Sequence, residues 1–354
     1  MKVATVLGAR PQFVKAAPLS PLVRAVAEEV LIHTGQHFDA NMSEIFFSDL
    51  GIPAPAHHLG ISGGSHAVQT GAMLPALERV LASESPDLVL VYGDTNSTLA
   101  GALCAAKINI PVAHVEAGLR SFNRAMPEEV NRVLTDHVSR WLFAPSQTAV
   151  DQLASEGIVD GVFLVGDVML DALNLFLPRA LKTDPAGRIL AKKPGGYYLC
   201  SIHRQENTDD PERLAEILRG LGKLDHEVAW PIHPRSLNRL AQFGLTLPGR
   251  VRALPPLGYL DMLGLAAQAR CILTDSGGLQ KEAYYLGVPC VTMRDETEWT
   301  ELLATGWNVL AGANSRRIVQ CVHDFRDFAS ERPALYGDGR ACERIVEALF
   351  ATTY

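Results

Sequence analysis

Cysteine is scarce and scattered: six residues in 354, at positions 104, 200, 271, 290, 321 and 342, with no CxxC pair and no metal-type spacing. That excludes a disulfide-stapled scaffold and reads as a chain from a reducing compartment. Dense Lys/Arg runs are also missing and the net charge is −7, so neither nucleic acid nor an anionic membrane is an expected partner. A small anionic ligand stays open, because single loops can be positive on an acidic protein. No apolar run reaches spanning length, and the apolar part of the opening MKVATVLGARPQ is too short for a signal peptide, which gives a cytoplasmic expectation. The P-loop pattern GxxxxGK[ST] is absent, which disfavours ATP hydrolysis. GARPQF after the first apolar run is not GxGxxG, which disfavours hydride transfer on a dinucleotide.

What the chain has is size and rhythm. With 354 residues and 47% hydrophobic composition it can fill two cores of ordinary size. Short Val/Leu-rich runs (VATVL, EVLIHT, DLVLVYG, PVAHVEA, WLFAP, VFLVG) alternate with amphipathic stretches such as QTGAMLPALERVLASES and NSTLAGALCAAKI. The cycle pauses at the Pro/Gly-bearing FLPRALKTDPAGRILAKKPGG, then restarts with YYLCSIH, EVAWPIH, RVRAL, CILTDS and PCVTM. This predicts an α/β chain of two doubly wound, Rossmann-like parallel sheets joined near residues 170–190. In such sheets ligands bind beyond the carboxyl ends of the strands.

The strand ends carry the chemistry. The first runs into GARPQFVK, bringing Arg10 and Lys15 to a turn and a first helical stretch. The third gives GDTNST, with Asp94 followed by a Thr/Asn/Ser run suited to helix capping. The next gives HVEAGLRS with Glu116, and MPEEVNR places Glu128 just inside a helix opened by Pro127. One acid at a strand end is equally a helix cap or a surface ion pair, and Glu128 is also spaced to pair with Arg132 at i,i+4. Acids and bases converging on one sheet edge mean more. In the second half, YYLCSIHRQEN puts His203 and Arg204 at a strand end, and VAWPIHPRS does the same with His233 and Arg235. CILTDSGGLQKEA is the clearest signal: after a buried strand, Gly277 and Gly278 let backbone N–H groups approach an anion at a helix N-terminus. Glu282, a turn further on, is placed to accept ribose hydroxyls.

Together GARPQFVK, HTGQHFDANMS, VYGDTNSTLAGA, HVEAGLRSF, MPEEVNR, SIHRQEN, PIHPR, LTDSGGLQKEA and YGDGRACERI resemble the non-hydrolysing UDP-N-acetylglucosamine 2-epimerase family over nearly the whole chain. The resemblance implies GT-B architecture with the nucleotide sugar in an interdomain cleft. It assigns residues 1–170 and a returning C-terminal helix, 338–354, to one domain and 171–337 to a UDP-binding one. It implies a cytoplasmic homodimer making precursors of surface polysaccharide, with a UDP-sugar as substrate and neither NAD nor metal as cofactor. The family's chemistry is elimination of UDP across C1–C2 to a 2-acetamidoglucal, then re-addition with the proton delivered to the opposite face. Removing and returning that proton needs two differently placed acid/base groups, and the departing diphosphate needs cations. Carried over by motif, Asp94, Glu116 and Glu128 are the acid/base carboxylates. His203 and Arg10 serve the pyrophosphate and the departing oxygen. Ser276, Gly277 and Gly278 hold phosphate, Glu282 holds ribose, and Lys15, Arg132, His233 and Arg294 are further substrate-binding candidates.

Two departures bear on the substrate. Where the family often reads TERPE, this chain reads TEWTE, with Trp299 and Thr300 for Arg and Pro; and HRQEN places Gln205 where Ala or Arg is usual. GARPQF, FDANMSEIFF and TEW together resemble the branch that includes UDP-2,3-diacetamido-2,3-dideoxyglucuronate 2-epimerases. Its substrate carries a carboxylate that Arg294, Arg120 or Arg124 could meet. Trp299 either stacks on an acetamido methyl or packs beneath its loop. QHFDANMS differs from the QHREMLD form, so the allosteric UDP-sugar site of many bacterial members is not carried over. A GT-B glycosyltransferase would share the phosphate-binding half without needing the acids, and a nucleotide-sugar sensor would be expected to lose some of them.

Overall fold

The apolar run VATVL lies in a strand, β1 (Lys2–Leu7), whose side chains from Val3 to Leu7 are all enclosed; such runs suit a strand covered on both faces. The computed structural model describes residues 1–36, 50–328 and 330–350. The chain divides into two units, Met1–Asn174 with the C-terminal segment from Ala334, and Leu175–Pro333. No described helix is long and apolar enough to cross a membrane.

After β1 the chain continues through α1 (Arg10–Val26), β2 (Glu28–His33), β3 (His57–His58), α2 (His66–Glu84), β4 (Leu88–Tyr92), α3 (Asn96–Lys107), β5 (Val112–Val115), α4 (Pro127–Val138), β6 (Trp141–Ala144), α5 (Gln147–Ser155), β7 (Val162–Leu164) and α6 (Val168–Lys182). All the strands pair in parallel, in the order β3-β2-β1-β4-β5-β6-β7. The chain therefore winds outward one way from β1 and the other way from β4. The two C-terminal strand ends that flank this reversal face the crevice where doubly wound sheets take ligands. Ala4, Val6, Ile32, Val89 and Val91 pack on Met73, Leu77 and Leu81 of α2, and each fully buried Val or Leu is worth about 1.5–3 kcal/mol.

The second unit follows with β8 (Tyr197–Ser201), α7 (Gln205–Thr208), α8 (Pro211–Leu221), β9 (Glu227–Pro231), α9 (Pro234–Gln242), β10 (Val251–Leu254), α10 (Tyr259–Gln268), β11 (Ile272–Thr274), α11 (Gly277–Leu286), β12 (Cys290–Thr292), α12 (Thr300–Ala304), β13 (Asn308–Leu310) and α13 (Ser315–Asp324). Its parallel order, β10-β9-β8-β11-β12-β13, repeats the scheme with the reversal between β8 and β11. Both sheets are thus doubly wound, as the alternation predicts. The short strands His57–His58 and Asn308–Leu310 have no counterpart in the sequence reading. The pause at FLPRALK is also helix: α6 runs on to Lys182 with Pro178 inside it.

A last helix, α14 (Ala341–Phe350), belongs to the first unit. Asp171 of α6 caps it from 170 residues away, accepting Ala341 N at 3.1 Å and Cys342 N at 3.2 Å. Burial pushes this carboxyl up, and the two amide bonds offset only part of that rise.

Candidate active site

In the first unit the reversal point gathers residues from four elements. Gln12 of α1 reaches back to accept Gly8 N (2.8 Å) and Ala9 N (2.9 Å), fixing the turn after β1. One helical turn after Gln12, Lys15 is buried and its ammonium pairs with the carboxylate of Glu116, just past β5. Glu116 has φ +72°, a conformation that costs a non-glycine residue energy and persists only where its surroundings enforce it. Here the enforcement is visible: Glu116 N and Ala117 N both donate to Phe143 O at 3.1 Å. Gly93, after β4, sits against this pair. A Cβ there would stand 3.2 Å from Lys15 Nζ and 3.4 Å from Glu116 Oε2. Asp94, the next residue, is half-exposed and pairs with the buried guanidinium of Arg132. Thr95 then caps α3 by accepting Thr98 N at 3.3 Å, the capping its composition predicts.

The helix that supplies Arg132 is amphipathic the wrong way round. Glu129, Asn131, Arg132, Thr135 and Asp136 of α4 are buried, while Val130 and Leu134 are exposed. The buried polar face is spent on the strand ends. Glu129 accepts Ser121 N (2.8 Å), Phe122 N (2.9 Å) and Arg132 Nη1 (3.2 Å), and Asn131 Nδ2 donates to Asp94 O at 2.9 Å. The i,i+4 spacing of Glu128 and Arg132 suggests an ion pair, but Arg132 pairs with Glu129 and Asp94 instead. Glu128 stays exposed and its side chain makes no hydrogen bond or ion pair among the described residues. Arg10 opens α1 half-buried at the same edge. From His37 onward HTGQHFDANMS lies outside the described residues, whereas Gln36 accepts Ser97 N (2.9 Å) and Oγ (2.7 Å).

In the second unit the reversal point is organised by a carboxylate. Asp275, fully buried after β11, accepts His203 N and Arg204 N at 3.0–3.1 Å and Asn207 Nδ2 at 3.1 Å, and lies 3.3 Å from His203 Nδ1. It ties the end of β8 to the Ser-Gly-Gly turn and leaves the His203 ring half-exposed. Ser276 caps α11 by accepting Leu279 N at 3.4 Å. The amides of Gly277 and Gly278 before it are the leading donors of a helix N-terminus, where negative charge is favoured. The two glycines differ. A Cβ on Gly278 would meet only Ser276 Oγ, at 4.0 Å, whereas one on Gly277 would fall 2.3 Å from Glu298 Oε1. The Glu298 side chain is 9% exposed, accepting Arg294 Nη1 at 2.8 Å with Arg204 Nη2 3.7 Å away. Burial pushes this carboxyl up, but the two guanidiniums more than offset it and hold it below the usual range. Arg294 is 2% exposed. Trp299 is buried too, with Lys281 Nζ 4.2 Å from its ring centre. Glu282 lies beside Tyr259, whose phenol is pushed up by burial and by that neighbouring charge. His233 is exposed, capping α9 through Nδ1, which accepts Arg235 N at 3.2 Å.

A family model described as UDP-N-acetylglucosamine 2-epimerase matches residues 23–350. The chain belongs to that family. Over 358 residues and 99% of both chains it is 49% identical to a UDP-2,3-diacetamido-2,3-dideoxy-D-glucuronate 2-epimerase from Pseudomonas aeruginosa. It is 48% identical, again over 99% of both, to a UDP-N-acetylglucosamine 2-epimerase homolog from Methanococcus maripaludis. Among solved structures, the Methanocaldococcus jannaschii UDP-GlcNAc 2-epimerase in complex with UDP-GlcNAc and UDP superposes with a TM-score of 0.93 at 42% identity, covering 99% of this chain and 100% of that one.

For this epimerase the sequence reading gave no role to residues that organise both reversal points: His114, Glu129, Asn131 and Asp136 in the first unit, Asp275, Asn207 and Glu298 in the second. One signal was available. PEEVNRVLTDHV repeats polar residues at helical spacing on what proves the buried face, and a helix buried polar-side-in is built around something charged. Asp275 stood in the quoted TDSGG, but nothing local distinguishes it from a capping residue.

Proposed function

We propose that this epimerase inverts C2 of a UDP-2-acetamido sugar by elimination and re-addition of UDP. One carboxylate takes the C2 proton while the C1–O bond breaks, leaving a 2-acetamidoglucal and UDP. The proton then returns to the opposite face of C2 as the diphosphate oxygen re-attacks C1. We assign the acid/base work to Asp94, Glu116 and Glu128, with Arg10, Lys15 and Arg132 supplying positive charge around them. His203 serves the departing oxygen, Ser276, Gly277 and Gly278 hold phosphate, Glu282 ribose, and His233 stands at the same edge. The observation that carries the reading is Glu116, a buried acid held at positive φ against Lys15 beside Asp94. Backbone strain concentrated at a strand-end carboxylate is what a functional site would justify and a helix cap would not.

The first substrate is UDP-N-acetylglucosamine, converted to UDP-N-acetylmannosamine for surface polysaccharide synthesis. Proton NMR in D2O should show the gluco and manno epimers interconverting with solvent deuterium entering C2. Product formed without deuterium would reject the elimination.

A second reading, the diacetamido uronate, is supported by the 49% relative. Its carboxylate needs a cation, and two of the three candidates are engaged elsewhere. Arg294 is buried on Glu298, and Arg120 is buried on Asp136 (2.7 Å) and Glu156 (2.6 and 2.8 Å). Arg124 is exposed and has no side-chain partner among the described residues, so it is the arginine we assign to a uronate. Trp299, packed beneath Lys281, is not offered as a stacking surface. Measured on one preparation, kcat/KM should favour UDP-N-acetylglucosamine. A preference of about a hundredfold for the uronate, ~2.7 kcal/mol of differential transition-state binding, would reverse the order, and Arg124→Met should then abolish it.

A further inference from the structure

We propose that His114 is a positioning residue for the acid/base pair, a buried clasp that sets the directions of both Asp94 and Glu116. The inference rests on the assignment of those two carboxylates to the chemistry. His114 is fully enclosed within β5. Its Nε2 lies 2.7 Å from Gly93 O and its Nδ1 lies 2.7 Å from Asp136 Oδ1. A carbonyl oxygen can only accept, so Nε2 donates to Gly93. That oxygen belongs to the planar peptide unit joining Gly93 to Asp94, so anchoring it orients the start of Asp94.

Asp136 completes the clasp from α4. Its second oxygen accepts Gly118 N at 3.1 Å and Arg120 Nη1 at 2.7 Å, and Glu156 grips the far side of Arg120. One carboxylate therefore holds the chain two residues before Glu116, through His114, and two residues after it, through Gly118. The strained Glu116 backbone lies between two fixed points, and the neighbouring Gly93–Asp94 peptide hangs from the same imidazole. Burial alone would raise the Asp136 carboxyl, but His114 and Arg120 outweigh it and keep the group below the usual range. Asp94 and Glu116 are thus set by one hydrogen-bonded unit, and a shift in it misplaces both together. His114, Asp136 and Arg120 are all buried, so the unit acts through the backbone it holds.

Two replacements separate the two bonds. Glutamine can present an amide N–H near the Nε2 position and so keep the donor to Gly93. Asparagine reaches only the Nδ1 position and leaves Gly93 O unpaired. In the full-length enzyme, His114→Asn should lower kcat by about 10²-fold, the cost of misplacing reacting groups by roughly an ångström. KM and UDP affinity should stay within about threefold. His114→Gln should recover kcat to within about fivefold of the parent. If the asparagine variant does not fold by circular dichroism, His114→Leu, which fills the space without a donor, replaces it with the same expectation. Asp94→Asn and Glu116→Gln are measured alongside. Loss of turnover in those two but not in the donor-less His114 variant would overturn the positioning role alone, as would equal losses in the glutamine and donor-less variants. Normal turnover in Asp94→Asn and Glu116→Gln would reject the acid/base assignment beneath it.

Discussion

Asp94→Asn, Glu116→Gln and Glu128→Gln should each slow epimerisation by about 10²–10⁴-fold, the usual worth of a positioned general acid or base, while UDP titration changes little. The three variants differ in what else they disturb. The Glu128 side chain has no bond to lose among the described residues, so its variant should melt like the parent and give the cleanest kinetic result. Removing the charge of Asp94 leaves Arg132 still paired with Glu129, a modest structural loss. Glu116→Gln leaves the buried ammonium of Lys15 beside a neutral amide, and breaking a buried ion pair costs about 3–5 kcal/mol. Its turnover therefore has to be compared at a temperature where circular dichroism shows the variant folded. UDP affinity is the internal control, because the Ser-Gly-Gly turn proposed to hold phosphate belongs to the other unit of the chain. Near-normal turnover in all three would return these acids to capping and ion pairing.

The second large effect is expected at the Ser-Gly-Gly turn. Gly278→Val should weaken UDP binding by at least about a hundredfold, roughly 2.7 kcal/mol, with the circular dichroism spectrum intact. The space a Cβ would enter at 278 is open, with only Ser276 Oγ within 4.0 Å among the described residues, so the fold tolerates the side chain. What it obstructs is the approach of an anion to the leading amides of α11. Gly277→Ala is the contrasting variant. Its Cβ collides with Glu298, whose displacement would strip the buried Arg294 of a partner, so its loss should appear in the melting temperature as well as in affinity. An unchanged UDP titration for Gly278→Val would move the phosphate site elsewhere.

The alternation of apolar runs with amphipathic stretches, read along the chain, determined the class of fold, because a strand buried on both faces can only be written as a continuous apolar run. Glycine, the turn residues and the acids at the ends of those runs determined where to look, and their ordered motifs carried the family. Strand order was beyond it. The same alternation would serve other windings, and only the order β3-β2-β1-β4 and its counterpart β10-β9-β8-β11 puts Lys15 against Glu116, 101 residues away, or Asp275 under His203, 72 residues away. Partner choice among neighbours was also decided in three dimensions. Glu128 and Arg132 have the spacing of an ion pair, yet Glu129 and Asp94 take the guanidinium because α4 turns that face inward. Arg120 and Arg294 are cations in the sequence and closed ion pairs in the fold. A carboxylate or a guanidinium is available for chemistry only if its surroundings leave it so, and those surroundings come from segments the local sequence does not contain.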